Sequence, residues 1–303
     1  MISISAVERD TGIGRDTLRV WERRYGFPSP LRDDHGDRCY PAEQVEKLRL
    51  IKRLIDQGSR PMKLVRMSID DLEALARESP SINAARGKIP NFDRAELDRL
   101  VGLLQLDALA ELQSVLRDRL VILGLEQFVV NTIAPLTVAV GEAWATGDIK
   151  IYQEHQYTQC VDNILSGAIA TISSYDRKDK PVILLTTFPG ELHALGLLMA
   201  ECMLAASGAR CVSLGTQTPI IEIVEAVKSH KPDIIGLSFS SHFNRRLAVD
   251  GLIELRSTIP EGTLIWVGGQ VQFLEKFSLP GVVIFQNLDE INNQIKILIS
   301  CHR

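Results

Sequence analysis

The stretch PVILLTTFPGELHALG, residues 181–196, sets the architecture of the C-terminal part of the chain. Val182–Phe188 is a continuous apolar run, too short for a helix, and Pro189-Gly190 stops it. Four runs of the same kind follow: ARCVSLG (209–215), DIIGLSFS (233–240), TLIWVGG (263–269) and VVIFQN (282–287), with helix-length segments between them. Continuous apolar strands are buried on both faces. The pattern predicts an α/β, open parallel sheet of Rossmann-like, flavodoxin-like form, with helices on both sides. Such sheets bind ligands beyond the carboxyl ends of their strands. That edge carries Glu191, His193 and Gly196 after the first strand, Ser238 and Ser240 at the third, and Gly268-Gly269 at the fourth. A lone histidine in a βα loop is more often structural than a ligand. Here Glu191, two residues earlier, can accept the imidazole's second N–H and fix its tautomer. Gly196 lets the next helix approach something bulky, the serine hydroxyls can reach a buried group, and Gly268-Gly269 offers bare backbone.

Upstream, residues 93–176 carry leucines at spacings of three and four with no alternation, which predicts a four-helix bundle. SPSINAARGKIPN (79–91) is poor in apolar bulk and reads as a linker. The domain plan is therefore 1–75, linker 76–92, bundle 93–176 and sheet domain 180–303. No run of roughly 18 apolar residues suggests a membrane span, and MISISAVERD lacks the form of a signal peptide. The expected setting is the cytoplasm, with no membrane partner. The five cysteines have no CxxC pairing and read as reduced thiols. Residues 1–70 hold 14 Lys/Arg against 11 Asp/Glu, a net of +3, which leaves −7 of the chain's −4 total for the rest. A basic head on an acidic body fits a chain that touches nucleic acid at one end.

The head reads as helix, turn and helix: Ile4–Arg9, a turn through Gly12 and Gly14, Asp16 as N-cap, then Thr17–Tyr25. Arg15, Arg19 and Arg23 stand four apart and share one face. A third helix starts at Pro41 and stops at Gly58, and another begins near Pro61. The string TGIGRDTLRVWERRYGFPSPLRDDHGDRCY resembles the MerR family over residues 1 to about 70. The resemblance implies a winged helix-turn-helix on double-stranded DNA. Arg15, Thr17, Arg19 and Arg23 would lie at the major groove or its phosphates, Arg38 and Tyr40 would belong to the wing, and Trp21 and Tyr25 would pack the core.

Glu191-x-His193-x-x-Gly196, then Ser238-x-Ser240, then Gly268-Gly269, resembles the fingerprint D-x-H-x-x-G, S-x-L, GG of proteins that bind cobalamin base-off with a histidine below the cobalt. Between Gly196 and Ser238 lie 41 residues, and between Ser240 and Gly268 lie 27, both as in that pattern. The departures are Glu191 for Asp and Ser240 for Leu. The bundle resembles a cobalamin cap. Trp144 with Glu154-His155 matches the W-x9-E-H signature of the CarH/LitR photoreceptors, MerR-type repressors that use adenosylcobalamin. That resemblance implies that Trp144 and Glu154 pack on the adenosyl group, with His155 beside them in the cap. The family's histidine directly after the tryptophan is Ala145 here.

The expected function is a cobalamin-responsive, DNA-binding repressor, active as a dimer or tetramer formed through its C-terminal part. A regulator that has lost cobalamin and answers to a protein partner is the alternative. A corrinoid enzyme would need a catalytic barrel of about 250 residues, for which the chain has no room.

Overall fold

The computed structural model describes residues 1–34, 36–56, 59–77, 94–172, 180–241, 243–275 and 277–301. The chain divides into two compact units, Met1–Lys88 with Gly141–Lys150, and Ile89–Val140 with Ile151–Arg303. The predicted linker lies almost wholly outside the described residues, as does Gly58.

In the first unit, α1 (Ile4–Thr11) starts where Ser3 Oγ accepts the Ala6 N–H at 3.3 Å, and ends at Gly12, whose φ is +69°. After that turn, α2 runs Arg15–Tyr25. The sequence places its cap at Asp16, but α2 begins earlier. The Arg15 N–H is taken by Glu8 Oε1 of α1 at 3.1 Å, so a carboxylate from the preceding helix serves the α2 N-terminus. The wing is a three-stranded antiparallel sheet with β3 (Arg38–Tyr40) between β1 (Ile2–Ser3) and β2 (Leu31–Arg32). Then come α3 (Ala42–Asp56), α4 (Pro61–Leu64) with its expected N-terminal proline, and α5 (Ile69–Arg77). Val7, Leu18, Trp21, Leu48 and Ile51 form the core. Tyr40 corrects the sequence reading. It lies on the central strand of the wing but is fully buried in this core, not on an exposed DNA-facing surface.

The second unit opens with α6 (Arg94–Gln105) and α7 (Leu109–Leu123). Next, α8 (Leu125–Phe128) passes through a π turn, Val129–Ile133, into α9 (Ala134–Thr146), whose last residues belong to the first unit. With α10 (Ile151–Ile172) these make the four predicted rods. Leu125–Thr146 is long and apolar enough, by length and composition, to cross a membrane. Glu126, Asn131 and Pro135 interrupt its apolar run. Half of it is buried, and Phe128, Val129, Ile133 and Leu136 are fully so, as in a core helix.

The sheet is parallel, in the order β5 (Arg210–Gly215), β4 (Val182–Thr186), β6 (Ile234–Phe239), β7 (Leu264–Gly269), β8 (Val282–Ile284). Successive residues serve opposite faces. Leu184 packs with Ile235, Val267 and Leu252, whereas Ile183 and Leu185 pack with Trp266, Leu197 and Ile295. Helices α12 (Ile220–His230) and α13 (Arg245–Thr258) cover the first face, and α11 (Leu195–Ala206) and α14 (Leu288–Cys301) the second. Burial on both sides explains the unbroken apolar strands. The bundle joins the sheet domain through α10 on α11, and Glu126 accepts from Asn292 Nδ2 at 3.0 Å.

The Tyr40 hydroxyl is buried without a hydrogen-bond partner among the described residues. Removing it should cost nothing, since a buried hydroxyl with no partner contributes no net bond. Tyr40→Phe is expected to keep stability within about 1 kcal/mol in thermal melts and to leave DNA affinity unchanged in gel-shift titrations.

Candidate functional site

The C-terminal edge of the sheet is organised around one carboxylate. The chain leaves β4, turns at Pro189-Gly190 with φ +90° at the glycine, and buries Glu191 completely. Glu191 Oε1 accepts the His193 backbone N–H at 3.0 Å and lies 2.6 Å from His193 Nδ1. Its Oε2 accepts the Ser240 backbone N–H at 2.7 Å and the Ser240 hydroxyl at 2.8 Å. Burial alone would raise the carboxyl's pKa. The bonds from the His193 ring, both backbone N–H groups and the Ser240 hydroxyl outweigh it and hold the value at about 2. An ionised carboxylate only accepts, so Nδ1 is the protonated ring nitrogen and Nε2 carries the lone pair a metal requires. The ring is 66% exposed, within reach of a ligand outside the sheet edge.

Around this anchor the backbone is close. Thr187 Oγ1 donates to the Glu191 carbonyl at 2.9 Å and accepts the Gln217 N–H at 2.8 Å, which ties the loop to the end of β5. Ser238 points from β6 towards the start of α11. A Cβ on Gly196 would stand 2.8 Å from its Oγ, so only glycine fits unaltered. Ser240 follows two residues later, and its hydroxyl donates to Glu191. The two terminal glycines of β7 also differ. Gly269 has φ +101°, and a Cβ there would stand 2.2 Å from the Phe239 carbonyl oxygen, so glycine is demanded by the strand crossing itself. Gly268 meets only Ile291 Cδ1 at 3.6 Å, an ordinary contact, and leaves bare backbone with room beside it.

In the bundle, Glu154 and His155 begin α10. His155 Nδ1 lies 2.8 Å from Glu154 Oε2, and Thr158 donates to Oε1 at 2.8 Å. Trp144 lies in the first unit, with its indole N–H buried and without a partner among the described residues, and the Arg53 guanidinium carbon 5.9 Å from its ring centroid. Ala145 is buried. In the head, Arg15, Thr17, Arg19 and Arg23 are exposed along α2. Arg15 pairs with Glu8 at 2.6 Å and Arg19 with Asp16 at 3.0 Å. Exposed pairs of this kind contribute little and exchange readily for phosphate. Arg38 is more constrained. Its guanidinium reaches both oxygens of Glu22, at 2.7 and 3.4 Å, and so pins the wing to α2.

Three side chains in these sites were not read from the sequence. Ser240 as the second holder of Glu191 was findable from its place two residues after Ser238, on the same strand face. Thr158 stands one helical turn after Glu154. Arg53 carried no signal, because nothing local links it to a residue ninety positions away.

The chain matches the MerR HTH family regulatory protein profile over residues 2–72 and two B12 binding domain profiles, over 91–166 and 181–291. It is 31% identical to the HTH-type transcriptional repressor CarH of Myxococcus xanthus over 85% of each chain. The chain belongs to the CarH family. It is also 29% identical to the repressor CarA of the same organism, over 78% of this chain and 76% of that one. Among solved structures, the monomethylamine corrinoid protein of Methanosarcina barkeri aligns with a TM-score of 0.50 at 17% identity. It covers 68% of this chain and 100% of its own, a likeness of fold. As a CarH-family chain the protein is a MerR-type, B12-binding transcription regulator, not an enzyme.

Two outcomes follow from the Glu191 anchor. Because its folded-state pKa is depressed, its contribution to stability is full above its unfolded value near 4.3 and is lost as pH falls towards about 2. The stability gap between wild type and Glu191→Gln should narrow as pH falls below about 5, as followed by denaturant midpoints. Gly269→Ala should destabilise the sheet domain by at least about 2 kcal/mol, whereas Gly268→Ala should melt close to wild type.

Proposed function

We propose that the chain is a repressor whose assembly state and operator affinity are set by adenosylcobalamin, held base-off with His193 as the lower cobalt ligand. The observation that carries the reading is the shared carboxylate: Glu191 fixes the His193 ring through Nδ1 while holding the end of β6 through Ser240. The residues present fit the group. His193 offers a nitrogen at the ligand edge, and Gly196, Ser238 and Gly268 line it with small groups along which a displaced nucleotide tail can run. Glu154 and His155, at the start of α10, belong to the cap, Glu154 being steadied by Thr158. Arg15, Thr17, Arg19 and Arg23 face the operator, and Arg38 acts on DNA by holding the wing through Glu22. A dimer or tetramer then needs only that the cofactor favour one assembly state over the other.

Two measurements test this. An absorption spectrum of the chain purified with adenosylcobalamin should show the base-off form. His193→Ala should abolish or greatly weaken uptake, and Gly268→Ala should lose uptake while still folding. A wild type that takes up no corrinoid refutes the reading and favours control by a protein partner. In the head, Arg19→Ala should weaken operator binding, with a salt slope shallower by about one if the contact is to phosphate.

Bound adenosylcobalamin supplies a light-cleavable cobalt–carbon bond. Position 145, the place that the resembled signature gives to a histidine, holds a buried alanine, which would offer no nitrogen to the cobalt once that bond is cleaved. The loaded chain is expected to elute at the same volume in size-exclusion chromatography before and after green light. A lit spectrum with two nitrogen ligands would instead assign the second one to His155.

A further inference from the structure

Helix α2 buries Leu18 and Trp21 and turns Arg19 and Arg23 outwards. Arg24 follows Arg23 by one residue, so it stands about 100° further round the helix, on its flank. There its guanidinium carbon lies over the Tyr25 ring, 5.6 Å from the centroid. A second cation reaches the same ring from a remote segment. Arg66, in the turn between α4 and α5, sets its guanidinium carbon 5.6 Å from the Tyr25 centroid. Both arginines are exposed, and Tyr25 is half-buried against the core of the head.

This pair differs from Arg15 and Arg19 of the same helix, which are held by Glu8 and Asp16. Neither Arg24 nor Arg66 has an ion-pair or hydrogen-bond partner among the described residues. Glu22, the carboxylate nearest to Arg24 in sequence, is taken by Arg38. An aromatic ring draws a cation through its quadrupole without claiming the N–H groups as a carboxylate does. The donors of both guanidiniums therefore remain open to an anion, on side chains whose place the ring sets. Two like charges that share one ring also repel each other, and an anion beside them relieves that repulsion.

We propose that Arg24 and Arg66, seated on Tyr25, grip the phosphate backbone of DNA beside the groove that α2 enters. The proposal rests on the reading of α2 as the operator-facing helix. A helix is about 10 Å across and the major groove about 12 Å wide, so a helix lying in that groove has a sugar–phosphate strand close on either flank. A cation on the flank of α2 is placed for that strand and not for the bases. Planar guanidiniums suit phosphate because two N–H groups can meet two of its oxygens at once. The grip adds affinity without sequence preference and fixes how the head sits on the duplex.

The test is a titration of the full chain with a mixed-sequence DNA duplex, followed by fluorescence anisotropy over a series of salt concentrations. Arg24→Gln and Arg66→Gln should each bind more weakly, with a slope of log affinity on log salt shallower by about one for every bound chain. The double variant should lose about two on the same scale. Arg66→Lys keeps the charge and should keep the wild-type slope. Should Arg66→Gln fail to fold by circular dichroism, Arg24→Gln on the exposed flank of α2 carries the test. Wild-type slopes in the neutral variants, or an Arg66→Lys slope as shallow as that of Arg66→Gln, overturn the grip. Either result leaves the operator-facing reading of α2 standing, since Arg19→Ala tests that separately. A wild-type chain that binds no duplex overturns both.

Discussion

A buried carboxylate that accepts four hydrogen bonds from two chain segments organises the C-terminal half of this protein. Glu191 is out of water, and a charge in that position is tolerated only when every lone pair it presents has a donor. His193 and Ser240 supply them, from the loop after β4 and the end of β6. Those strands are neighbours in the sheet although they are separated by a helix, a strand and another helix in sequence. The ligand edge is therefore closed by the same bonds that orient the imidazole, and loss of either donor would loosen both. The glycines around it serve the same economy of space, Gly196 against Ser238 and Gly269 against the Phe239 carbonyl.

The fold was legible because its signals are periodic or local. Five unbroken apolar runs became the five strands, with no end more than three residues away, since burial on both faces leaves no room for alternation. The leucine spacing of residues 93–176 became four rods. Helix starts were read less well where the capping group comes from elsewhere. Glu8 serves the N-terminus of α2 across the turn, and a rule that looks for a cap beside the helix settles on Asp16 instead.

Site residues divided along the same line. Glu191, His193 and Gly196 sit together in one loop, and their roles follow from spacing. The second serine was assigned to a ligand because sequence shows that a side chain lies on a strand face, not which neighbour it meets. Tyr40 belongs to the wing motif, and a motif does not say which of its side chains the core takes: Tyr40 is fully buried while Arg38 is only partly so. Contacts such as Arg53 with Trp144 depend on how distant segments come to rest, and no local pattern encodes them.

The two side chains at the ligand edge depend on each other unequally. Glu191 Oε2 reaches the end of β6, where Ser240 gives it two donors, a backbone N–H and a hydroxyl. Ser240→Leu would leave only the backbone N–H on that oxygen, a buried carboxylate short of a donor. Glu191→Asp would free a hydroxyl that is half-exposed and can turn to water. The carboxylate therefore needs the serine more than the serine needs the carboxylate.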